Sequence, residues 1–162
     1  TDHIYKGWLS WMNNPDTTKQ ILEENKKITK NDLENYLNEK KSLFFLACYT
    51  MEGDYFGNLR IHEWTHNIAC FGRLIGSEKH RGQGYGKLMV ELAKSLIFDF
   101  KKYDIIIAGN NSGDLASSNS KIKSGFKKMD QVAKDALKLK FNKKGEYFML
   151  NRSDHLKNIR LG

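Results

Sequence analysis

Gly82, Gly84 and Gly86 occupy every second position near the end of the segment Leu-Ile-Gly-Ser-Glu-Lys-His-Arg-Gly-Gln-Gly-Tyr-Gly, residues 74–86. They follow a proline-free, β-rich run at residues 67–75. They open a stretch in which Tyr85, Leu88, Met89, Leu92, Leu96, Ile97 and Phe100 recur at helical spacing, with Lys87, Glu91, Lys94 and Lys101 expected on the opposite side. A strand, a glycine turn and a helix start make a cradle for phosphate, because the turn's amides point inward and the helix adds its positive end. Glycine is needed where an anion must come close to the backbone or where φ is positive.

Two familiar phosphate loops fail on spacing. The dinucleotide fingerprint needs Gly-x-Gly-x-x-Gly, and Gly82-x-Gly84-x-Gly86 has the wrong rhythm. The magnesium-nucleotide loop needs a hydroxyl after its Gly-Lys pair, whereas Gly86-Lys87 is followed by Leu88. What remains, Arg81-Gly82-Gln83-Gly84-Tyr85-Gly86, resembles the Arg/Gln-x-x-Gly-x-Gly/Ala signature of the GNAT N-acetyltransferase superfamily, which binds the pyrophosphate of acetyl-CoA. Taken alone, such a string is also compatible with a tight turn that holds no ligand. The context extends the likeness. Asp104-Ile-Ile-Ile-Ala-Gly109 reads as a buried central strand, and a shorter helix follows, ending at Lys123-Ser-Gly125-Phe126, similar to the family's Lys-x-Gly-Phe. The resemblance runs from about residue 54 to residue 150.

Composition bounds the rest. A chain of 162 residues, 40% apolar and 28% charged, suits a single globular domain over 1–162. No apolar run approaches the roughly 20 residues of a membrane span, and no secretion signal is legible, so a cytoplasmic protein without a membrane partner is expected. Cys48 and Cys70 lie in apolar runs without metal-type spacing, so reduced thiols and no metal are expected. The net charge of +8 suits a phosphorylated ligand. Its lysines are dispersed rather than set in a stripe among aromatics, which does not favour nucleic acid.

Residues 4–12 read as a helix ended by Asn13-Asn14-Pro15. Thr29 is a candidate N-cap, with Asp32 three positions on, for a helix carrying Leu33, Tyr36 and Leu37. Strands are predicted over 43–50, 55–63 and 67–75, and again over 136–141 and 146–151 with a turn at 142–145. The resemblance implies an α/β (α+β) fold: a mixed, mostly antiparallel twisted sheet of about six or seven strands, splayed in the middle, with about four helices. The family's opening strand has no counterpart before the first helix. The 43–49 strand is therefore an expected open edge, to be covered by a second copy of the chain or by residues 153–162. A monomer in light scattering, with that edge exposed, would remove this expectation.

The resemblance also implies a chemistry. A primary amine attacks the thioester of acetyl-CoA directly, by positioning and electrostatics rather than through a nucleophilic side chain. Backbone groups of Leu74, Ile75 and Gly76 would pair with the pantetheine arm, with one amide as an oxyanion hole, and Arg81, Gly82, Gln83, Gly84, Tyr85 and Gly86 would hold the pyrophosphate. Asn111 and Asn119 complete the expected coenzyme contacts. An ammonium acceptor needs a base; Glu63, His62, His66 and Glu78 are candidates, with Glu78 and His66 preferred and a surface role open for each. The family's usual proton-donating tyrosine falls at Lys121 and is absent, which leaves Ser117, Ser118 or Asn119 to hydrogen-bond the sulfur. Lys121 could serve only with a depressed pKa.

Trp8-Leu-Ser-Trp11-Met-Asn-Asn-Pro-Asp16 resembles a segment of the branch that holds ribosomal-protein N-terminal and amino-sugar-nucleotide acetyltransferases. There, Trp8, Trp11 and residues 11–28 would wall the acceptor site. Arg60 and His62, on one strand face with Asn58, would bind hydroxyls or phosphate. Both tryptophans could equally be core anchors. The expected function is acetyl transfer to a small amine, with a nucleotide-linked amino sugar as the preferred acceptor. A protein N-terminal acetyltransferase and a catalytically silent acyl-CoA-binding module are the alternatives.

Overall fold

In the computed structural model, which describes residues 2–18, 27–137, 139–142 and 145–160, the aromatic and β-branched runs form β1 (Ser42–Tyr49), β2 (Tyr55–Thr65) and β3 (Ile68–Ile75). These pair as an antiparallel meander. Gly53 (φ 88°) turns the first hairpin and Asn67 (φ 67°) the second, Asn being among the few side chains that tolerate this region. The all-apolar run gives β4 (Ile105–Asn111), which lies parallel to β3. β6 (Gly145–Asn151) runs antiparallel to β4, the short β5 (Lys127–Lys128) pairs with β6, and the order across the sheet is β1-β2-β3-β4-β6-β5.

One face of the sheet is covered by α4 (Tyr85–Lys94), its π-helical continuation Ser95–Phe100, and α5 (Leu115–Lys123). Phe71, Ile106, Ala108, Phe148 and Leu150 meet Val90, Ala93, Ile97 and Phe98 there. The opposite face carries α1 (Asp2–Met12), α2 (Pro15–Thr18) and α3 (Lys30–Leu37) at the β1–β2 end, and α6 (Gln131–Ala136) at the β4–β6 end. Thr29 and Asp32 form the expected capping box of α3, worth about 1 kcal/mol. α7 (Arg152–Arg160) ends the chain.

Several expectations are corrected. Among the described residues of 136–141 no strand forms. α6 ends at Ala136, and Leu137, Leu139 and Phe141 pack across the sheet face, while Lys127–Lys128 (β5) takes the edge of β6. The expected helices are present as α1, α3, α4 and α5, and the described residues add α2, α6 and α7. On α4 the core takes Met89, Val90, Ala93 and Lys94, leaving Leu88, Leu92 and Phe100 exposed. The helix is apolar around more than half its circumference, so small Val90 and Ala93 can turn to the closest part of the sheet. Lys94 is tolerated inside because its ammonium binds Glu91 (2.6 Å) and the Ser124 carbonyl (3.1 Å). α7 does not cover β1; its His155 stacks on Phe98 and its Asp154 meets Lys127, at the other end of the sheet. Among the described residues β1 is an open edge. The stretch 19–26, part of the expected acceptor wall, and Lys143 and Lys144 of the 142–145 turn lie outside the described residues.

Candidate functional site

β3 and β4 stay paired only where Ile68, Ala69 and Cys70 face Ile105, Ile106 and Ile107. Beyond that they diverge, and the gap is a cavity of about 300 Å³ lined by Gly72, Arg73, Gly109, Asn110, Ser117 and Lys121, among others. Strand alternation identifies its backbone edge. The Asn67 carbonyl accepts the Ile105 N–H on the β4 side, and the Gly76 N–H donates to Phe56 on the β2 side. Odd residues of β3 thus direct their peptide groups toward the gap and even ones toward β2. Phe71, Arg73 and the Ile75 N–H hold the free edge, the Ile75 carbonyl being taken by Arg81, whereas Leu74 and Gly76 turn theirs to β2. Of the three positions expected to offer backbone groups here, Ile75 does so.

Gly72 and Gly109 face each other where the strands part. Neither supplies a side chain, so the gap opens through the sheet toward the face where Tyr147, Gly145 and Asn142 line it. A glycine inside a strand pattern marks such an opening, and Gly72 and Gly109 carry that signal in the sequence.

The glycine turn follows β3. A 3₁₀ turn, Glu78–His80, leads to Gly82 (φ 75°) and Gly84 (φ 87°), both left-handed, and Gly84 caps α4. Gly86 is needed for another reason: an added Cβ would strike the Arg73 guanidinium, which donates to the Gly86 carbonyl. Among the described residues the backbone N–H groups of Gly82, Gln83, Gly84, Tyr85 and Gly86 have no hydrogen-bond partner. The Arg81 side chain points inward, donating to the Ile75 (3.1 Å) and Gly76 (3.2 Å) carbonyls and to Thr17 Oγ1 (3.0 Å). It shapes the turn rather than lining it. Gln83 reaches back to the Lys79 carbonyl (2.5 Å), and Tyr85 packs on Phe56.

Positive charge converges on the cavity. Arg73 sits between the first turns of α4 and α5, 3.5 Å from Ser117 Oγ, and is partly answered by Asp114, the N-cap of α5. Lys121, 1% exposed, donates to Asn110 Oδ1 (2.6 Å) and Ser117 Oγ (2.8 Å). Burial and the nearby Arg73 lower its pKa from 10.5 to about 8, while Asp114 and Glu146 pull the other way. Between those values the unfolded chain binds more protons than the folded one, so this group's contribution to stability rises with pH across that window. Lys121→Met is therefore expected to raise Tm at pH 7 by about 3 °C, equivalent to roughly 1 kcal/mol. The gap to wild type should narrow between pH 8 and 10.5. A gap constant with pH would mean that the amine is not desolvated.

The remaining candidates are placed as follows. Asn111 lines the cavity; Asn119 is exposed and does not. His66 is exposed in the β2–β3 turn, six residues from Gly72 along an extended strand, roughly 20 Å away. Glu78 is exposed on the 3₁₀ turn. Neither lines the cavity. Trp8 is buried against Phe45 and Tyr36, so it anchors α1 instead of offering a ring face. Trp11 lies on Gly76 and Tyr55.

Asn58, Arg60 and His62 do share one face of β2, under α1 and α3. Tyr55 donates to Asn58 Oδ1 (2.5 Å), Arg60 pairs with Glu39 (2.5 Å) over the Tyr36 ring, and His62 Nε2 meets Cys70 Sγ (2.7 Å). Among the described residues, Asn58 Nδ2, Arg60 Nε and His62 Nδ1 are buried and without a hydrogen-bond partner. Burial and Arg60 lower the His62 pKa, keeping the ring neutral, and burial pushes the Cys70 thiol up to about 12. Sequence reasoning missed Arg73 altogether.

No family model matches the chain, and no curated protein matches it. Solved structures do. Aminoglycoside acetyltransferase AAC(6')-Ib in complex with ribostamycin and coenzyme A is 16% identical (TM-score 0.78), over 97% of this chain and 93% of that one. Spermidine N-acetyltransferase from Vibrio cholerae, with CoA and spermine, is 13% identical (TM-score 0.76; 96% and 94% covered). A domain from Methanocaldococcus jannaschii is 15% identical (TM-score 0.75; 93% and 94% covered). At these identities the likeness establishes the fold alone, and that fold is the mixed α/β, GNAT-like one expected from the glycine turn.

Proposed function

We propose that this protein is an acetyl-CoA-dependent N-acetyltransferase that moves an acetyl group directly onto a primary amine. The observation that carries the reading is the row of unpaired amides from Gly82 to Gly86, next to a strand edge left free where β3 and β4 part. The fold neighbours solved with CoA, together with aminoglycosides or spermine, support it.

The residues fit the carrier. The turn amides and the N-terminus of α4 would hold a diphosphate. The peptide group of Arg73 and the Ile75 N–H would pair with an extended amide-bearing arm as a neighbouring strand does. Bound there, acetyl-CoA supplies an activated acetyl group. Gly72 and Gly109 leave an opening through which an amine on the far face can meet it. A backbone amide at the gap aimed at the carbonyl oxygen would lower the barrier by roughly 3 kcal/mol. On the amine's side, His62, His66 and Glu78 all lie outside the cavity lining, so the acceptor's proton would leave through solvent.

The preferred acceptor is a small amine rich in hydroxyl or phosphate groups, such as a nucleotide-linked amino sugar. The fold neighbours solved with kanamycin, ribostamycin or spermine support a small amine as acceptor. Two free cysteines accord with a cytoplasmic setting, and among the described residues no helix is long and apolar enough to cross a membrane. A second copy is the proposed occupant of the β1 edge. Antiparallel pairing would bring Lys40 and Lys41 of one chain near Glu52 of the other, and light scattering decides it.

Calorimetry with CoA tests the binding half, and thiol release from acetyl-CoA with a panel of amines tests the catalytic half. Heat on binding together with turnover on an amino-sugar nucleotide is the expected result. Turnover on a peptide amine alone would favour the N-terminal acetyltransferase. Binding without turnover on any amine would mark a silent module.

A further inference from the structure

Two lysines are buried among the described residues, and they are answered differently. Lys94 has the Glu91 carboxylate at 2.6 Å. Lys121 is bonded among the described residues to Asn110 Oδ1 and Ser117 Oγ, both neutral, with the Phe148 ring 5.3 Å from Nζ. The nearby carboxylates are engaged elsewhere: Glu146 accepts from Lys128 and Ser118, and Asp114 from the Ser117 N–H. Burial without a bonded carboxylate disfavours the ammonium and so favours the free amine. A free amine has two N–H groups and one lone pair. Asn110 and Ser117 accept the N–H groups, which leaves the lone pair uncommitted, and all three side chains line the gap between β3 and β4. A desolvated amine held beside a fixed cation, here Arg73, is an activated nucleophile.

Resting on the reading that the thioester of acetyl-CoA occupies this gap, we infer that Lys121 is itself an acetyl acceptor, modified on Nζ by the protein's own bound coenzyme when no other amine is present. Nζ bonds to the acetyl carbon, and the carbon–sulfur bond breaks with its electron pair on sulfur. The proton lost by nitrogen passes to solvent, which supplies the one the sulfur takes up. The products are an acetylated Lys121 and CoA as its thiol. The new amide is stable, so the acetyl group is not passed on. It fills the gap and removes a positive charge, and the site closes itself. Ser117 and Asn110 are positioning residues. Burial and Arg73 on β3 bring the pKa of Nζ down to about 8, against the pull of Asp114 capping α5 and Glu146 on β6. The rate of self-acetylation is therefore expected to level off above that pH, whereas at an exposed lysine it climbs to about pH 10.

The test uses the wild-type protein with acetyl-CoA and desulfo-CoA and needs neither a variant nor an acceptor. Mass spectrometry of the chain and its peptides is expected to find acetylation of Lys121 at least about tenfold faster than of any exposed lysine, because a held amine reacts at a raised effective concentration. Saturating desulfo-CoA should slow the labelling of Lys121 about tenfold and leave exposed lysines unchanged, as displacement of a bound donor requires. Calorimetry on the labelled protein should show CoA bound about tenfold more weakly, as the loss of a cation and of space in the gap requires. Lys121 unlabelled while CoA binds, labelled regardless of desulfo-CoA, or labelled with the pH profile of exposed lysines overturns the inference. Undiminished CoA affinity after labelling overturns the closing of the site. No heat with CoA on the unlabelled protein overturns the acetyl-transfer reading itself, a result distinct from these.

Discussion

Gly84→Val is expected to weaken CoA binding about a hundredfold while leaving the fold intact. Gly84 sits at φ 87°, ψ −11°, and an added Cβ there would meet nothing within 4 Å. The cost is therefore conformational and not steric. An L-residue in the left-handed region costs about 1–2 kcal/mol, more when β-branched. In a chain of this length that lowers Tm by roughly 4 °C. The turn can relieve the strain only by rotating Gly84 toward negative φ, and that rotation swings the neighbouring amides away from their common focus. Charge-assisted hydrogen bonds are worth about 1.5–3 kcal/mol each, so losing two accounts for the hundredfold change. Gly84→Ala should fall between the two proteins. Calorimetry and a thermal melt separate the effects; an affinity within threefold of wild type would place the diphosphate elsewhere.

That turn was the most legible part of the chain, because glycine at alternate positions has few uses other than backbone freedom and close approach. The capping box at Thr29 was legible for the same reason: a local rule with a local partner. What the sequence hid was set by partners distant in the chain. Leu137, Leu139 and Phe141 alternate as a strand does, yet the edge they would have joined was already taken by Lys127 and Lys128, so they cover the sheet instead. Lys121 stands out in the sequence only as the residue at the resembling family's tyrosine position, and its burial appears once α5 is laid over the divergence of β3 and β4. Arg73 looks like an exposed strand position, and only the approach of α4 and α5 encloses it. His62 and Arg60 were read as a polar face of either water or ligand; α1 and α3 bury that face, leaving three polar atoms unpaired among the described residues. The glycine turn was thus readable from its own residues, and the burial of Arg73, Lys121 and His62 was not, since other elements impose it.

The second large effect is expected at Gly76, where coenzyme side and acceptor side touch. A Cβ on Gly76 would fall within the Trp11 indole, which is also packed on Tyr55 with ring centroids 4.7 Å apart. Gly76→Ala must push α1 off the end of β3, and overpacking of this kind costs about 3 kcal/mol, or roughly 9 °C in Tm. Trp11→Ala alone removes a half-buried ring and should cost about 2 kcal/mol. In the double variant the new methyl enters the space the indole left, so its stability should match Trp11→Ala, giving a coupling of about 3 kcal/mol. Equal costs for Gly76→Ala in both backgrounds would mean that the contact is not the cause. The consequence reaches further than stability, because the Gly76 carbonyl accepts from Arg81, whose guanidinium also binds the Ile75 carbonyl and Thr17 Oγ1 of α2. A displaced α1 pulls on α2 and, through Arg81, on the residue that opens the glycine turn. Gly76→Ala should therefore raise KM for the amine and for acetyl-CoA together, whereas Gly84→Val, with no neighbour on the acceptor side, should raise only the latter.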